Sequence, residues 1–330
     1  MHAAYTPTYG SPHVIELRDV PRPALGAHDI RIEVRASPVT AGDRRLRSAD
    51  FPSVTAIPGR LMMGVLRPRN PVQGTMFAGR VAELGSDVTR WAVGDDVFGA
   101  ADHGAWAEEV VVADDGPVAP IPEGVGYDEA AAVPYGAGTA LHFLERLTAV
   151  QPGEKVLILG ASGGVGRYAV SIARHLGAEV TAVCSRAQFD LVGALGAQHL
   201  VDHRSEDPFA GSARYDVIFD IADATTFSAC RHALTETGRY ATLYMSPTVL
   251  FHMAWTGLVG GPRALFSIAM PSADDLASLA QMLEDGVLRP TIVARYPLDR
   301  ITEAHEEAES GVHGEVMVTI GASARLRAVG

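Results

Sequence analysis

The feature that most constrains this chain lies in residues 156–167, where an apolar strand leads through a glycine-rich turn into a helix. Val156–Leu159 is an uninterrupted apolar run, which is typical of strands covered on both faces. Several glycines follow, the last of them Gly166, and apolar residues then recur with helical spacing from Ala169 to Leu176. A strand, a tight turn and a helix in this order predict a unit of a parallel α/β sheet.

The turn fits the G-x-G-x-x-G pattern of dinucleotide-binding proteins, with alanine at the first glycine position. A turn with almost no side chains lets backbone approach a pyrophosphate, and the start of the helix offers N–H groups and a positive dipole end. The alternative is a turn that only packs helix against sheet. The predicted pyrophosphate contacts are Ala161, Ser162, Gly163, Gly164, Val165 and Gly166.

The residues after the second strand predict which nicotinamide cofactor is bound. An Asp or Glu there would bind the ribose 2′-hydroxyl and repel a 2′-phosphate. Here Cys184 is followed by Ser185 and Arg186, and no carboxylate occurs before Asp190. A serine hydroxyl and a guanidinium suit a phosphate, so we expect NADPH. The alternative is that Arg186 is a solvated surface residue.

Beyond the glycine turn, strands and helices alternate, which predicts a doubly wound parallel sheet and an α/β fold class. We expect a Rossmann domain over 123–259, and a β-rich, barrel-like domain over 1–122 that is completed by 260–330. Strands of a parallel sheet bring their carboxyl ends to one edge, where cofactors bind. The cofactor contacts predicted beyond the turn are Thr139, Ser185, Arg186, His203, Ile221, Tyr244 and Ser246.

Three segments carry predictions of local structure that matter below. Two separate helices are expected, one beginning at Asp128 and one over 139–148, and a further helix is expected near 225–236. The apolar stretch 247–272 is predicted to be irregular. We interpret 247–272 either as a buried connection or subunit contact, or as a wall of a substrate pocket.

Charge and cysteine usage exclude several classes of function. The net charge of −12 disfavours nucleic acid and anionic membranes as partners. The only two cysteines, Cys184 and Cys230, make neither a disulfide framework nor a four-thiolate zinc site. The amino terminus lacks a signal segment and no apolar run is long enough to span a membrane, so we expect a cytoplasmic protein.

Several motifs together resemble the medium-chain dehydrogenase/reductase superfamily, in particular its zinc-free quinone oxidoreductase branch. The motifs lie at 74–85, 93–99, 104–108, 152–166 and 195–202, and the resemblance extends over nearly the whole chain. The resemblance implies a GroES-like catalytic domain, a Rossmann domain, a cofactor held between the two, and a homodimer. It also implies hydride transfer from NADPH to a small quinone or α,β-unsaturated carbonyl compound.

The resemblance also bears on metal and on catalysis. Thr40 and Thr75 stand where zinc-dependent relatives have metal ligands, so no metal site is expected and a zinc alcohol dehydrogenase is disfavoured. Met76 replaces an acidic residue that is common in the family. Candidate proton donors are Thr40, Asp43 and Tyr135, with His103 and bulk water as alternatives. The competing hypothesis is an NADPH-binding structural or regulatory protein with the same fold and no activity.

Overall fold

The computed structural model describes residues 1–51, 53–210 and 215–321, which form two compact units. The first unit comprises Met1–Phe51, Thr55–Tyr135 and the chain from Pro271 onward. The second comprises Gly136–Met270 and a short segment that ends at Val54. One unit is built on a largely antiparallel sheet and the other on a parallel sheet flanked by helices, which confirms the predicted α/β class.

The first unit owes its core to apolar side chains on the strands of its sheet. Ile30, Ile32 and Val34 of one long strand are completely buried and belong to the same apolar cluster as Trp106. That strand, β3, pairs antiparallel with β4 and β6. The elements are β1 (His2–Tyr5), β2 (Glu16–Asp19), β3 (Asp29–Pro38), α1 (Ala41–Ser48), α2 (Ala56–Met63), β4 (Met76–Leu84), β5 (Asp96–Ala100), β6 (Glu109–Ala113), β7 (Val118–Pro120) and α3 (Tyr127–Leu141).

The second unit contains a six-stranded parallel sheet of order β10–β9–β8–β11–β12–β13. The chain enters at β8, winds outward to β10, and returns to the other side of β8 through β11, so the strand order reverses beside β8. The elements are β8 (Lys155–Leu159), α4 (Gly166–His175), β9 (Glu179–Cys184), α5 (Phe189–Ala194), β10 (His199–Asp202), β11 (Tyr215–Asp220), α6 (Phe227–Cys230), β12 (Leu234–Thr242), α7 (Pro247–Val259) and β13 (Arg263–Phe266).

The last part of the chain returns to the sheet of the first unit. It forms α8 (Ala273–Glu284), β14 (Ile292–Pro297), α9 (Ile301–Glu309) and β15 (Glu315–Thr319). β15 pairs antiparallel with β3, and β14 pairs parallel with β15. The second unit differs at both ends from the expected range of 123–259. Residues 123–135 belong to the first unit, and residues 260–270 belong to the second.

The prediction that 247–272 is irregular was wrong. Ser246 accepts a hydrogen bond from the Val249 N–H and Pro247 takes the first helical position, so α7 begins with a regular cap. The helix has apolar residues on all sides and therefore lacks the periodicity that would have revealed it. β13 then pairs parallel with β12 as the sixth strand of the sheet, which explains why 260–270 belongs to the second unit.

Two helix predictions also need correction. The two helices expected from Asp128 and over 139–148 form one continuous helical segment, α3 followed by a π-helical stretch at His142–Leu147. Burial of nearly all its apolar residues outweighs the internal proline and glycines. The helix expected near 225–236 is only α6 and a 3₁₀ turn, because Leu234 already pairs with Tyr215 in the sheet.

Candidate functional site

The predicted cofactor contacts that follow strands lie at one edge of the parallel sheet. The strands are in register at this edge, where Leu159 is aligned with Val183 on one side and with Asp220 on the other. Asp220 is in turn aligned with Thr242. The glycine turn, Ser185, His203, Ile221 and Tyr244 therefore all follow carboxyl ends of adjacent strands. In an open α/β sheet, ligands bind outside this edge and next to the point where strand order reverses.

The glycines of the turn fall into two pairs with different environments. A Cβ on Gly166 would lie 2.1 Å from the Gly160 carbonyl oxygen, and a Cβ on Gly160, whose φ is +85°, would lie 2.9 Å from the Ala222 Cβ. These two glycines allow close packing of helix, turn and sheet. A Cβ on Gly164 would meet nothing within 4 Å, and one on Gly163 only the Gly160 oxygen at 3.4 Å. The outer side of the turn at Gly163 and Gly164 is therefore open and solvent-exposed.

The start of α4 offers backbone donors on this open side. No backbone carbonyl in the described part of the chain accepts a hydrogen bond from the N–H of Gly164 or Val165. Orphan N–H groups at a helix start, together with the positive end of the helix dipole, form an anion site. Gly136 of α3 packs close to the turn, since a Cβ there would lie 2.7 Å from the Gly164 oxygen. Thr139 follows three residues later and so lies on the same side of α3.

The end of β9 carries no acidic side chain at the position expected for NADH. Ser185 begins the 3₁₀ turn Arg186–Gln188, and Arg186 is exposed with its guanidinium carbon 5.9 Å from the centre of the Phe189 ring. Among the described residues, no carboxylate forms an ion pair with Arg186. The guanidinium is thus available to an external anion.

His203 and Ile221 occupy neighbouring places along the edge. His203 is exposed, and its N–H donates to the Cys184 carbonyl across the end of β9 and β10. Asp202 beside it is held by the backbone N–H of Arg204 and by the Ser205 hydroxyl, which lower the pKa of its carboxyl. Ile221 donates its N–H to the Leu159 carbonyl and so connects the end of β11 to the glycine turn.

Asp220 was not predicted as part of the site, although it shapes the edge. Its buried carboxylate accepts hydrogen bonds from the N–H groups of Ala222, Ala224 and Thr225 and from the Tyr240 hydroxyl. These bonds fold the loop after β11, which carries the Ala222 methyl that packs under Gly160. Burial raises the pKa of Asp220, against the effect of these donors. The signal in the sequence is an acidic residue that directly ends an apolar strand.

The remaining two predicted cofactor contacts follow β12. The Tyr244 N–H donates to the Thr242 hydroxyl, and Ser246 caps α7. A separate cavity of about 230 Å³ lies between α6 and α7, with Phe227, Phe251 and Trp255 among its lining. The exposed aromatic residues of α7 therefore face this cavity and solvent and are not a buried connection.

In the first unit, the three candidate proton donors come together. Thr40 caps α1, and its hydroxyl donates to Asp43 Oδ2 at 2.6 Å and accepts from the Asp43 N–H. The Thr75 hydroxyl donates to Asp43 Oδ1 at 3.0 Å. The Tyr135 ring lies against Gly42, where an added Cβ would be 2.9 Å from ring carbon Cε2. The arrangement gives Thr40 and Asp43 a clear structural role as a capping box.

Asp43 is completely buried, and its carboxylate acts as an acceptor on both oxygens. Burial raises the pKa of this carboxyl, while hydrogen bonds from Thr40 and Thr75 oppose the shift. With both oxygens engaged, Asp43 fixes the orientation of the Thr75 hydroxyl. Thr75 itself lines a small cavity of about 60 Å³ together with Tyr9, Leu46, Met62, Met63 and Gln73. Thr75 therefore connects Asp43 to this cavity.

The donor set around Asp43 does not fit zinc. Thr40 and Thr75 present hydroxyls that are already bonded to Asp43, and neither is a ligand type that zinc prefers. Cys184 and Cys230, the only thiols in the chain, are both buried in the second unit. Within residues 1–51, 53–210 and 215–321, no three His, Cys, Asp or Glu side chains cluster as a metal site. Across the same residues, no helix has the length and apolar character needed to cross a membrane.

Comparison with known proteins agrees with this architecture. Residues 26–123 match the alcohol dehydrogenase GroES-like domain, and residues 195–314 match the zinc-binding dehydrogenase family. A chloroplastic quinone-oxidoreductase homolog of Spinacia oleracea is 30% identical over 84% of this chain and 89% of its own length. The polyketide synthase GfsB of Streptomyces halstedii is 34% identical over 77% of this chain but only 5% of that protein. The quinone oxidoreductase structure from Coxiella burnetii superposes with a TM-score of 0.84 at 26% identity, covering 97% of this chain and 99% of that one.

Proposed function

Because this chain belongs to the quinone oxidoreductase branch of the medium-chain dehydrogenase/reductase superfamily, we propose that it is an NADPH-dependent reductase of quinones or α,β-unsaturated carbonyl compounds that works without zinc. The observation that carries the proposal is the edge of the parallel sheet. An open glycine turn there stands beside Arg186, which has no ion-pair partner among the described residues, and no carboxylate follows β9 before Asp190. A cytoplasmic homodimer, as expected from the sequence, belongs to the same proposal.

The cofactor contacts follow from the chemistry of this edge. The N–H groups around Gly164 and Val165 would bind the pyrophosphate, and Arg186 with Ser185 would bind the 2′-phosphate. His203, Ile221, Tyr244 and Ser246 would line the rest of the cofactor along the strand ends, with Thr139 on the α3 side. The bound cofactor supplies the hydride, and the protein's part is to bind, orient and shield.

The acceptor site is proposed at the cavity beside Thr75. A quinone or enone is already electrophilic, so its reduction needs no Lewis acid. In this proposal, the proton that completes the reduction comes from solvent. Asp43 is not assigned this role, because one of its oxygens accepts a hydrogen bond from Thr40 at the start of α1 and the other accepts one from Thr75. An enoyl thioester is also an α,β-unsaturated carbonyl compound, so the proposal includes enoyl substrates.

The proposal is tested by NADPH oxidation with a panel of acceptors, combined with one substitution. Wild-type protein should oxidise NADPH with benzoquinone or methyl vinyl ketone as the acceptor. With the same acceptors, it should oxidise NADH much less efficiently. The Arg186→Gln change removes a charge-assisted hydrogen bond worth about 1.5–3 kcal/mol, so kcat/KM for NADPH should fall by roughly 10- to 100-fold. The value for NADH should change by less than about threefold, because NADH has no 2′-phosphate.

The matched control is Arg174→Gln, which removes an exposed arginine in the last turn of α4, at the opposite end of that helix from the glycine turn. This variant should leave kcat/KM unchanged for both NADPH and NADH. Equal small effects of Arg186→Gln on NADPH and NADH would contradict the cofactor assignment. Tight NADPH binding by calorimetry without turnover of any acceptor would favour the alternative, a cofactor-binding protein without activity.

A further inference from the structure

Helix α2 and the turn after it present apolar side chains to solvent. Leu61 in α2 is 60% exposed, and Leu66 in the turn that follows is 88% exposed. We define the α2 apolar surface as Ile57, Leu61, Met62, Val65 and Leu66, all of which are more than half exposed. Contiguous apolar surface of this kind marks a place where a protein binds something apolar.

Specific contacts hold this surface in a fixed conformation. Gly64 ends α2 with φ +119°, and an added Cβ would lie 2.0 Å from the Arg67 carbonyl oxygen, so the turn is tight and requires glycine. The Tyr9 hydroxyl donates to the Gly64 carbonyl at 2.7 Å, and the Arg69 N–H donates to the Met63 carbonyl at 2.7 Å. The guanidinium of Arg60 also lies over the Tyr9 ring. The exposed side chains are therefore displayed by an ordered turn.

The α2 apolar surface is continuous with the cavity beside Thr75. Met62 belongs to both, and Met63 lines the cavity from the same helix. The lining also contains polar residues, of which Arg69, Asn70, Asp102 and His103 are exposed and Gln73 is buried. Gln73 is only 6% exposed and its side-chain oxygen has no partner among the described residues, while Thr75 is oriented by Asp43. The cavity thus has a buried polar group at Gln73 and, on the side formed by α2, an apolar lining of Met62 and Met63 that continues into the α2 apolar surface.

We infer that the acceptor carries a linear hydrocarbon chain, with its carbonyl end in the cavity and its chain lying along the α2 apolar surface. The inference rests on the proposed function, since it gives the substrate class of the same cavity. A buried polar group and an exposed, methionine-lined side that continues into the α2 apolar surface fit an amphiphile better than a compact quinone. Methionine side chains also adapt to flexible apolar ligands. Partial burial of each methylene should tighten binding by roughly two- to fourfold.

The test uses saturated ethyl ketones whose second chain ranges from methyl to octyl, titrated calorimetrically into the full-length protein. These ligands have no conjugated double bond, so their binding does not depend on turnover. The Kd should fall by roughly twofold or more with each methylene until the surface is covered. In the Leu61→Ser variant, Kd should depend less steeply on chain length. Its Kd for the octyl ketone should rise at least fourfold over wild type, and its Kd for the methyl ketone should hardly change.

The control is Val93→Ser, which replaces another exposed apolar residue of the first unit, 64% exposed and outside α2. This variant should retain the chain-length dependence of the wild type. A Kd that does not change with chain length, or equal weakening of short and long ketones by Leu61→Ser, would overturn the inference. So would sedimentation showing that Leu61→Ser dissociates a dimer, because the surface would then be a subunit contact.

A kinetic series separates this inference from the proposed function. Alkyl vinyl ketones with the same chains should show the same trend in kcat/KM with NADPH. If no vinyl ketone or quinone is reduced while the chain-length dependence of Kd persists in the wild type and is lost in Leu61→Ser, the reductase proposal fails and the hydrocarbon site stands.

Discussion

Asp43 has contacts that favour a positioning role over the role of proton donor. Its carboxylate holds the start of α1 through Thr40 and the cavity-lining hydroxyl through Thr75. We expect Asp43→Asn to destabilise the protein by about 1–3 kcal/mol, because the amide replaces one of the two accepting oxygens with an NH2 donor. The turnover number should fall less than tenfold, and the pH dependence of kcat should keep its shape.

The matched control for Asp43→Asn is Asp50→Asn, an exposed carboxylate shortly after α1, which should change neither stability nor kcat. Urea unfolding and pH–rate profiles provide both measurements. A loss of kcat above 100-fold, together with the disappearance of a limb of the pH profile, would instead identify Asp43 as the proton donor. At this scale the sequence offered Thr40, Asp43 and Tyr135 as separate candidates, and the structure brings them together. Spacing alone could not reveal that both Asp43 oxygens accept hydrogen bonds.

At the scale of elements, the glycine turn offers a direct test of binding against packing. Gly164 has open space above it and a φ outside the left-handed region, whereas Gly166 lies against the Gly160 carbonyl. Gly164→Ala should therefore leave the free energy of unfolding within about 1 kcal/mol of wild type or raise it slightly. Its methyl group would stand where the pyrophosphate approaches, so the Kd for NADPH should rise at least tenfold.

Gly166→Ala is the comparison variant, because its methyl would overlap the turn itself at 2.1 Å from an oxygen. It should lower both the melting temperature and NADPH affinity. Calorimetry for binding and thermal unfolding for stability distinguish the two cases. If Gly164→Ala binds NADPH normally, the turn serves only to pack helix on sheet, and the cofactor site must lie elsewhere.

The elements that could be predicted from the sequence are those with a clear apolar pattern. β8, β9, β11 and the glycine turn follow from buried runs and glycine spacing. α7 does not, because its apolar residues surround the helix and much of that surface is exposed. The short α6 was overestimated since Leu234 is taken into the sheet by pairing with β11, which is a tertiary contact that local sequence does not encode.

At the scale of the whole molecule, the first unit depends on a buried charged cluster that links distant parts of the chain. Arg47 of α1 is almost completely buried and contacts His305 of α9 at 2.9 Å, the carboxylate of Glu309 at 2.7 Å and the carbonyl of Gly10. A guanidinium can only donate, so His305 Nδ1 must accept, and the imidazole is neutral. The His305 ring also meets the Trp106 ring edge to face at 4.7 Å.

This cluster makes the stability of the first unit dependent on pH. Burial, reinforced by the adjacent Arg47 charge, lowers the pKa of His305 from 6.5 to about 3. Between these values the unfolded chain binds a proton that the folded chain does not, so stability decreases as pH falls. The stabilisation is present in full above the unfolded pKa of 6.5. Below that pKa, the free energy of unfolding decreases by about 1.4 kcal/mol for each unit that the pH falls.

His305→Asn keeps an acceptor for Arg47 and removes the titration, so the free energy of unfolding of this variant should depend on pH less steeply, by about this slope. Urea titrations between about pH 6 and 4.5 would measure the slope in a Trp255→Phe background, where the fluorescence of Trp91 and Trp106 reports on the first unit.

The control is His199→Gln, a change at an exposed histidine that pairs with Glu179 in the second unit, and it should leave that slope unchanged. Identical slopes for wild type and His305→Asn would mean that acid weakens the first unit through other groups and that the buried imidazole is not its pH-sensitive contact.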